Sequence, residues 1–143
     1  MTTITRIDAQ LKTGSRVGAG TDGDVYLGIG GREFFIDSAV DDFEAGADRV
    51  YTFGAGSNVT PALRNDPRSP YQLLTENLGR FPVYVRFVPG AVQGPGREDD
   101  WNLESITVTV NPGAGQFQFQ ALGGSDHLTL SRQSGLSCHL VRL

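Results

Sequence analysis

The chain has 143 residues, which is the size of one ordinary domain. Hydrophobic residues make up 38% and charged residues 20%, a composition that fills one core and excludes a disordered tail. The formal net charge of −4 argues against a nucleic-acid partner, which requires a basic face. Cys138 is the only cysteine, so no disulfide can form within the chain.

The N-terminal residues 1–12 contain no apolar run of the kind found in signal peptides, and no segment has the length of a membrane span. We therefore expect a cytoplasmic or membrane-peripheral protein, or a domain excised from a larger one.

Alternation of apolar and polar residues predicts short strands from the N-terminus onward. Residues 4–12 alternate as a half-buried strand does. A glycine-rich acidic turn leads to a second strand, 24–29, and Gly30-Gly31 has the composition of a two-residue hairpin turn with positive φ. The returning strand ends at Asp37, and a dense acidic loop separates it from another strand at 49–53. The two acidic loops flanking the hairpin are expected at the same end of the sheet.

Residues 54–80 differ from the rest, because glycines and prolines interrupt any long element. The segment Ser69-Pro70-Tyr71-Gln72 has the pattern of a helix N-terminus, and Gly79 is expected to end that helix. The sequence thus predicts one short helix in a long inter-strand insertion. Three side chains of this lobe are the candidates for an exposed apolar contact with a partner: Tyr71, Leu73 and Leu74. The alternative, which we favour, is that they dock onto the sandwich.

The second half of the chain continues the strand pattern. Further strands are predicted at 81–87, 106–110, 116–121, 127–131 and 136–143. Phe81 is placed on the buried face of the first of them, and Gly123-Gly124 is predicted to form a turn. No repeat or linker divides residues 1–143, so we predict a single all-β domain, an antiparallel β-sandwich of about eight strands.

Carboxylates cluster beside the strand ends of the first hairpin. They are Asp22, Asp37, Asp41, Asp42 and Glu44. Acids that converge without neutralisation repel one another, and a bound calcium ion, which takes six to eight oxygen ligands, would remove that cost. The alternative is that they are ordinary turn residues that bond their own backbone and are solvated.

Several short motifs follow one another in a fixed order. They are Ala19-Gly20-Thr21-Asp22, Asp24-Val25-Tyr26-Leu27, Asp42-Phe43 with Gly46 and Asp48, the aromatics Tyr51 and Phe53, and the segment Asp100-Trp101-Asn102-Leu103-Glu104-Ser105-Ile106. This order resembles the PLAT domain, the lipoxygenase-homology β-sandwich that is also found in the C-terminal domain of clostridial alpha-toxin. The resemblance covers residues 4–122, and residues 123–143 are extra C-terminal strands without a family counterpart.

The resemblance implies two calcium sites. The first would use Thr21 and Val40 through their carbonyls, with Asp22, Asp37, Ser38 and Asp42. The second would use Gly18, Gly20, Asp99 and Asp100, and it is less well supplied because Gly18 offers no carboxylate.

The implied function is a non-catalytic, calcium-binding, membrane-associated module that binds a lipid surface or a protein. The alternative is a protein–protein adaptor or regulatory domain in which calcium is structural or absent. A small toxin-associated enzyme is the third possibility, and the sequence offers no catalytic constellation for it.

Other motifs lack the context that their chemistry needs. Residues 18–23 match the glycine string of dinucleotide-binding loops, but a strand follows in place of the required helix, so no nucleotide is expected. The pairs Cys138-His139 and Asp126-His127 are adjacent strand residues whose side chains point to opposite faces. Two histidines supply a zinc site poorly. Trp101 is expected in the core rather than at a membrane.

Overall fold

The structure is a computed structural model and describes residues 2–91, 98–123 and 127–143. Within these residues, ten strands form two antiparallel sheets, and the only helix is a short 3₁₀-helix, Thr75–Gly79. The strands are β1 (Arg6–Thr13), β2 (Asp24–Ile29), β3 (Arg32–Phe35), β4 (Asp48–Gly54), β5 (Tyr84–Val88), β6 (Trp101–Val110), β7 (Phe117–Ala121), β8 (Leu128–Leu130), β9 (Ser137–His139) and β10 (Val141–Arg142). The predicted all-β sandwich is confirmed. None of the described helices is long and apolar enough to cross a membrane.

The larger sheet has the order β10-β7-β6-β1-β4, with β8 paired to the start of β6 beyond the end of β7. The smaller sheet has the order β3-β2-β5-β9. The predicted hairpin joins β2 and β3, and its turn residues Gly30 and Gly31 have φ of 63° and 83°. Positive φ at both central positions is the conformation that glycine adopts without steric strain.

The core lies between the two sheets and consists of the residues that alternation placed on the inner faces. Ile7, Ala9 and Leu11 of β1 are buried and stand opposite buried residues of β6 in the ladder. Trp101 is fully buried, as predicted, and its indole nitrogen donates a hydrogen bond of 3.0 Å to the hydroxyl of Thr13. Its ring contacts Phe87 across the sandwich, with 5.8 Å between the centroids. The buried indole N–H has a hydrogen-bond partner because Thr13 at the end of β1 supplies the acceptor.

The predicted helix start at Ser69 is wrong. The 3₁₀-helix begins at Thr75, because the preceding residues are extended and bonded to the N-terminal segment. The amide of Ile4 donates to the carbonyl of Leu73, and Leu74 pairs with Thr3 in an isolated bridge. The helix does end at Gly79, as predicted. Pairing with a distant segment has overridden the local capping signal.

Two strand predictions at the edges of elements are also wrong. The 81–87 strand begins only at Tyr84, and Phe81 is 45% exposed, with its ring close to the turn glycine Gly31. The single strand predicted at 136–143 is two strands, β9 and β10, which join different sheets. The chain crosses between the sheets at Leu140. The alternation of side chains therefore continues from β9 to β10, although β9 pairs with β5 and β10 pairs with β7. Of the turn predicted at Gly123-Gly124, Gly124 lies outside the described residues.

Asparagine side chains occupy the open edges of both sheets. Asn58 donates to the carbonyl of Val50 and accepts from the amide of Thr52 on edge strand β4. Asn65 accepts from the amide of Phe35 on edge strand β3. An unpaired strand edge is a template for pairing with another chain, and these side chains take up part of that bonding capacity.

The bond between Trp101 and Thr13 can be tested by Thr13→Val, which keeps the shape but removes the acceptor. A buried donor left without a partner costs about 1–3 kcal/mol, so the free energy of unfolding should fall by about that amount in denaturant titrations. Thr13→Ser retains the hydroxyl and is the matched control. Equal losses in the two variants would contradict the role assigned to this hydrogen bond.

Candidate functional site

Phe43 joins the two acidic loops, which we define as the first loop (residues 17–23) and the second loop (residues 37–45). Its ring is buried and packs on Tyr51 and Trp101, with centroid distances of 5.7 and 5.2 Å. Its carbonyl accepts a hydrogen bond of 3.0 Å from the amide of Thr21 in the first loop. Phe43 has a φ of 61°, a left-handed conformation that is unfavourable for a bulky residue. Burial of the ring offsets that strain and fixes the second loop in place.

The two loops approach each other too closely for any residue but glycine at position 20. A Cβ atom there would lie 2.7 Å from the carbonyl oxygen of Phe43 and 2.9 Å from the amide nitrogen of Ala45. Both are backbone atoms, which cannot rotate out of the way as a side chain does. The glycine of the Ala-Gly-Thr-Asp motif therefore has a packing role.

The loops enclose a cavity of about 180 Å³, which we call the aspartate cavity. Five aspartates line it: Asp22, Asp24, Asp37, Asp41 and Asp42. Thr21 and Val40 line it as well, and no Lys, Arg, His or Cys does so among the described residues. Of the six predicted ligands of the first site, all but Ser38 thus border one cavity. The predicted convergence of the two loops at one end of the hairpin is present in the structure.

The carboxylate of Asp42 is already held by the protein. One oxygen accepts from the hydroxyls of Ser38 at 2.8 Å and Tyr51 at 2.7 Å, and the other accepts from the amide of Ser38 at 2.9 Å. Ser38 therefore positions Asp42 in this structure. Burial, together with the bond to Asp42, raises the pKa of the Tyr51 hydroxyl above its usual value, so the hydroxyl remains a donor at neutral pH.

Asp37 is in an unfavourable environment for a negative charge. Burial raises its pKa, and so do the hydrogen bond to Asp42 and the charges of Asp42 and Asp24, while a bond from the amide of Ser38 acts in the opposite direction. Two carboxyl groups that share a site cannot both ionise without a penalty. A cation at this position would relieve that penalty.

Sequence reasoning did not include Asp24 and Asp41 in the ligand set. Asp24 opens β2 two residues after Asp22, and the bend at residues 22–23 leaves both aspartates on the cavity wall. Its closeness to Asp22 in the sequence was the signal that could have identified Asp24. Asp41 was recognised as an acid of the loop, but only the folded loop places it on the cavity wall.

A second cavity of about 310 Å³ lies beside the first and is lined by Gly18, Gly20 and Asp99 of the predicted second site. Both carboxylate oxygens of Asp99 lie within 2.8 Å of the Thr21 hydroxyl, and one accepts from the amide of Gly90 at 2.6 Å. Asp99 thus ties the first loop to the start of the 90–99 connection. Asp100 is exposed and does not line this cavity.

Among the described residues, no three His, Cys, Asp or Glu side chains form a ready-made metal-binding group. The aspartate cavity contains one close carboxyl pair, Asp37 with Asp42, and the other three aspartates are spread around its wall. The donor set is nevertheless composed of oxygen alone. Oxygen-only sites suit calcium and do not suit zinc, which prefers nitrogen and sulfur.

The predicted partner-binding residues of the inserted lobe have different environments. Tyr71 is 76% exposed, as a surface contact requires. Leu73 is buried beneath the hairpin turn, where it contacts Gly30, and it is therefore unavailable to a partner. Leu74 is half-buried by its pairing with Thr3. Leu73 is buried for the same reason that the helix begins late: this segment pairs with the N-terminal residues of the chain.

The side chains of Cys138 and His139 are separated, as the strand geometry predicts. Cys138 is buried and His139 is exposed on β9, where it packs on Tyr84. Burial raises the pKa of the Cys138 thiol, which keeps it protonated and unreactive. His127 contacts Asn102, and Asp126 lies outside the described residues.

Asp37→Asn tests the charge conflict in the aspartate cavity. Because the pKa of Asp37 is raised, the folded state binds its proton more tightly, and stability falls as pH rises through that pKa. The amide removes one of two apposed charges, so we expect a higher melting temperature than wild type at pH 7 without calcium, and no advantage near pH 3. The exposed residue Asp100 offers a charge-matched control in Asp100→Asn. An Asp37→Asn protein that is less stable than wild type at pH 7 would contradict the inference that the charges of Asp37 and Asp42 destabilise the fold.

Comparison with known proteins identifies the domain. The PLAT/LH2 domain model matches residues 7–123, and no curated protein matches the chain. Similar structures include the alpha-toxins of Clostridium absonum (TM-score 0.62, 18% identity, 96% of this chain and 31% of that one) and Clostridium perfringens (0.62, 20%, 97% and 32%). Another is coral 8R-lipoxygenase (0.58, 17%, 96% and 17%), described as activated by calcium through a C2-like domain. The chain spans about a third or less of each of these proteins. The family match, over most of the chain, shows that this protein belongs to the PLAT/LH2 domain family.

Proposed function

We propose that this PLAT domain is a non-catalytic, calcium-dependent module that binds an anionic lipid surface. The observation that carries the proposal is the aspartate cavity, whose wall holds five aspartates, two of them a close pair, and no basic side chain among the described residues. The raised pKa of Asp37 supports it, since a bound cation would favour the ionised form of a carboxyl that burial and Asp42 disfavour.

The residues that would hold calcium come from both loops. Asp37 and Asp42 form the closest pair, Asp22 lines the same cavity, and Thr21 and Val40 on its wall would contribute their carbonyls. Calcium takes six to eight oxygen ligands and accepts backbone carbonyls and waters among them, so these would complete the coordination that the two apposed carboxylates begin. A bound ion would neutralise the carboxylates and supply open positions for the oxygens of a phosphate or carboxylate.

The lipid assignment rests on what surrounds the acidic loops. Val17 at the tip of the first loop is fully exposed, and Val40 in the second loop is 52% exposed. Exposed apolar side chains on adjacent loops suit insertion into the interface of a membrane. A protein of net charge −4 is repelled by an anionic surface unless a cation intervenes. The description of coral 8R-lipoxygenase as calcium-activated through a C2-like domain is consistent with this mechanism.

The second candidate function is a protein–protein adaptor in which calcium only rigidifies the loops. Its support is the exposure of Leu63 and Tyr71, at 87% and 76%, on the long insertion. In that case calcium would stabilise the domain without driving it to vesicles.

Calcium binding can be measured by calorimetric titration. Wild-type protein should release or absorb heat with a saturable isotherm, and its melting temperature should rise at millimolar calcium. Asp42→Asn and Asp22→Asn should weaken binding at least about tenfold, which is the effect of losing one charged ligand. Asp22 is exposed, so this variant is expected to fold normally even if Asp42→Asn disturbs the bonds to Ser38.

The control for that titration is Asp48→Asn, which removes the same charge from the exposed end of β4. It should bind calcium as wild type does. Absence of heat and of any thermal shift in the wild-type protein would overturn the metal assignment.

Membrane binding can be measured by co-sedimentation with phosphatidylserine vesicles, with calcium and with EDTA. We expect sedimentation only with calcium, and its loss in the double variant Val17→Ser/Val40→Ser, because the apolar contact area is removed. That variant should retain calcium affinity. Val141→Ser, at a residue 70% exposed on β10, is the matched control. Calcium binding without sedimentation would favour the adaptor, and loss of vesicle binding in Tyr71→Ser alone would move the contact to the insertion.

A further inference from the structure

A third cavity, of about 450 Å³, has the opposite character to the aspartate cavity. Five polar residues line it: Ser15, Arg16, Asn102, His127 and Thr129. None of the described residues that line it is acidic, although the chain contains 16 Asp and Glu against 12 Lys and Arg. The cavity lies where the 14–19 segment crosses the start of β6, and we call it the arginine cavity.

Asn102 forms the fixed part of this cavity. Asn102 is only 6% exposed. Its backbone amide donates to the carbonyl of Ala19, and its backbone carbonyl accepts from the amide of Gly14. Its side-chain oxygen lies 3.1 Å from Nδ1 of His127, and its side-chain nitrogen lies 3.4 Å from the hydroxyl of Thr129. A Cβ atom at Gly14 would collide with the Asn102 side chain, so the glycine makes room for the amide.

Arg16 supplies the charge of the cavity. It is exposed, and its guanidinium has no ion pair or hydrogen bond with the residues that the structure describes. A guanidinium presents a planar fork of donors that matches a tetrahedral oxyanion, and the hydroxyls of Ser15 and Thr129 can donate beside it. An uncommitted cation and hydroxyl donors, with no carboxylate among the described lining residues, are the elements of an anion site.

We propose that the arginine cavity binds a phosphate monoester. The volume is within the range of small-molecule sites and is much larger than a phosphate ion alone, so it accommodates an attached organic group. The source of the phosphate is either a lipid headgroup, as in phosphatidic acid, or a soluble phosphate ester. This site goes beyond the proposed calcium function, because its donors bind an anion directly.

The test uses the whole chain in EDTA, so that calcium bridging makes no contribution. Glycerol 3-phosphate is titrated while the amide and side-chain NMR signals of Asn102 and His127 are followed, with glycerol as the neutral control. We expect saturable shifts with glycerol 3-phosphate only. Arg16→Gln should weaken binding about tenfold or more, and Thr129→Val should weaken it by a smaller factor.

The matched control is Arg64→Gln, at an exposed arginine on the insertion away from the lining residues. It should leave the affinity unchanged. Equal weakening by both arginine variants would show diffuse attraction and overturn the site, as would the absence of saturable shifts in the wild-type protein.

Vesicles then separate the two sources. Sedimentation in EDTA with phosphatidylcholine vesicles containing phosphatidic acid, lost in Arg16→Gln, would assign the site to a lipid headgroup. Saturable glycerol 3-phosphate binding without sedimentation would assign it to a soluble ester. Because calcium is absent throughout, failure here leaves the calcium proposal intact, and failure of the calcium titration leaves this site intact.

Discussion

The site depends on the burial of one aromatic ring on the second acidic loop. Phe43 packs between Tyr51 and Trp101 in the core, while its carbonyl bonds the first loop and its neighbour Asp42 faces the aspartate cavity. The hydrophobic contact is thus what holds mutually repelling carboxylates at one end of the sandwich. Electrostatics alone would drive these loops apart.

This coupling connects the core to the surface chemistry. The buried Tyr51 of β4 donates to Asp42. Thr13 accepts from the indole of Trp101, on which Phe43 packs. A cation that neutralises the aspartate cavity therefore binds carboxylates that are hydrogen-bonded to, or adjacent in sequence to, residues of the core. Cation binding is therefore expected to raise the free energy of unfolding of the whole domain.

The aspartate cavity and the arginine cavity have lining residues of opposite charge and lie on neighbouring parts of one loop. The segment 14–19 borders the arginine cavity, and residues from Gly18 onward border the acidic cavities. The proposed calcium site and the proposed phosphate site would give this part of the domain two ways to engage a phosphate-bearing surface. The exposed valines Val17 and Val40 stand among them.

Period-two alternation and glycine turns act locally, so the sandwich could be predicted from the residues in chain order. The sequence by itself also determined the acidic hairpin end, since loops that flank a hairpin must lie together. It could not determine the start of the 3₁₀-helix, the burial of Leu73 or the split of the last strand between sheets, which follow from pairing with distant segments. That Ser38 holds Asp42, and that Arg16 and Asn102 border one cavity, follows only from the folded chain, because side-chain partners across loops have no signature in local spacing.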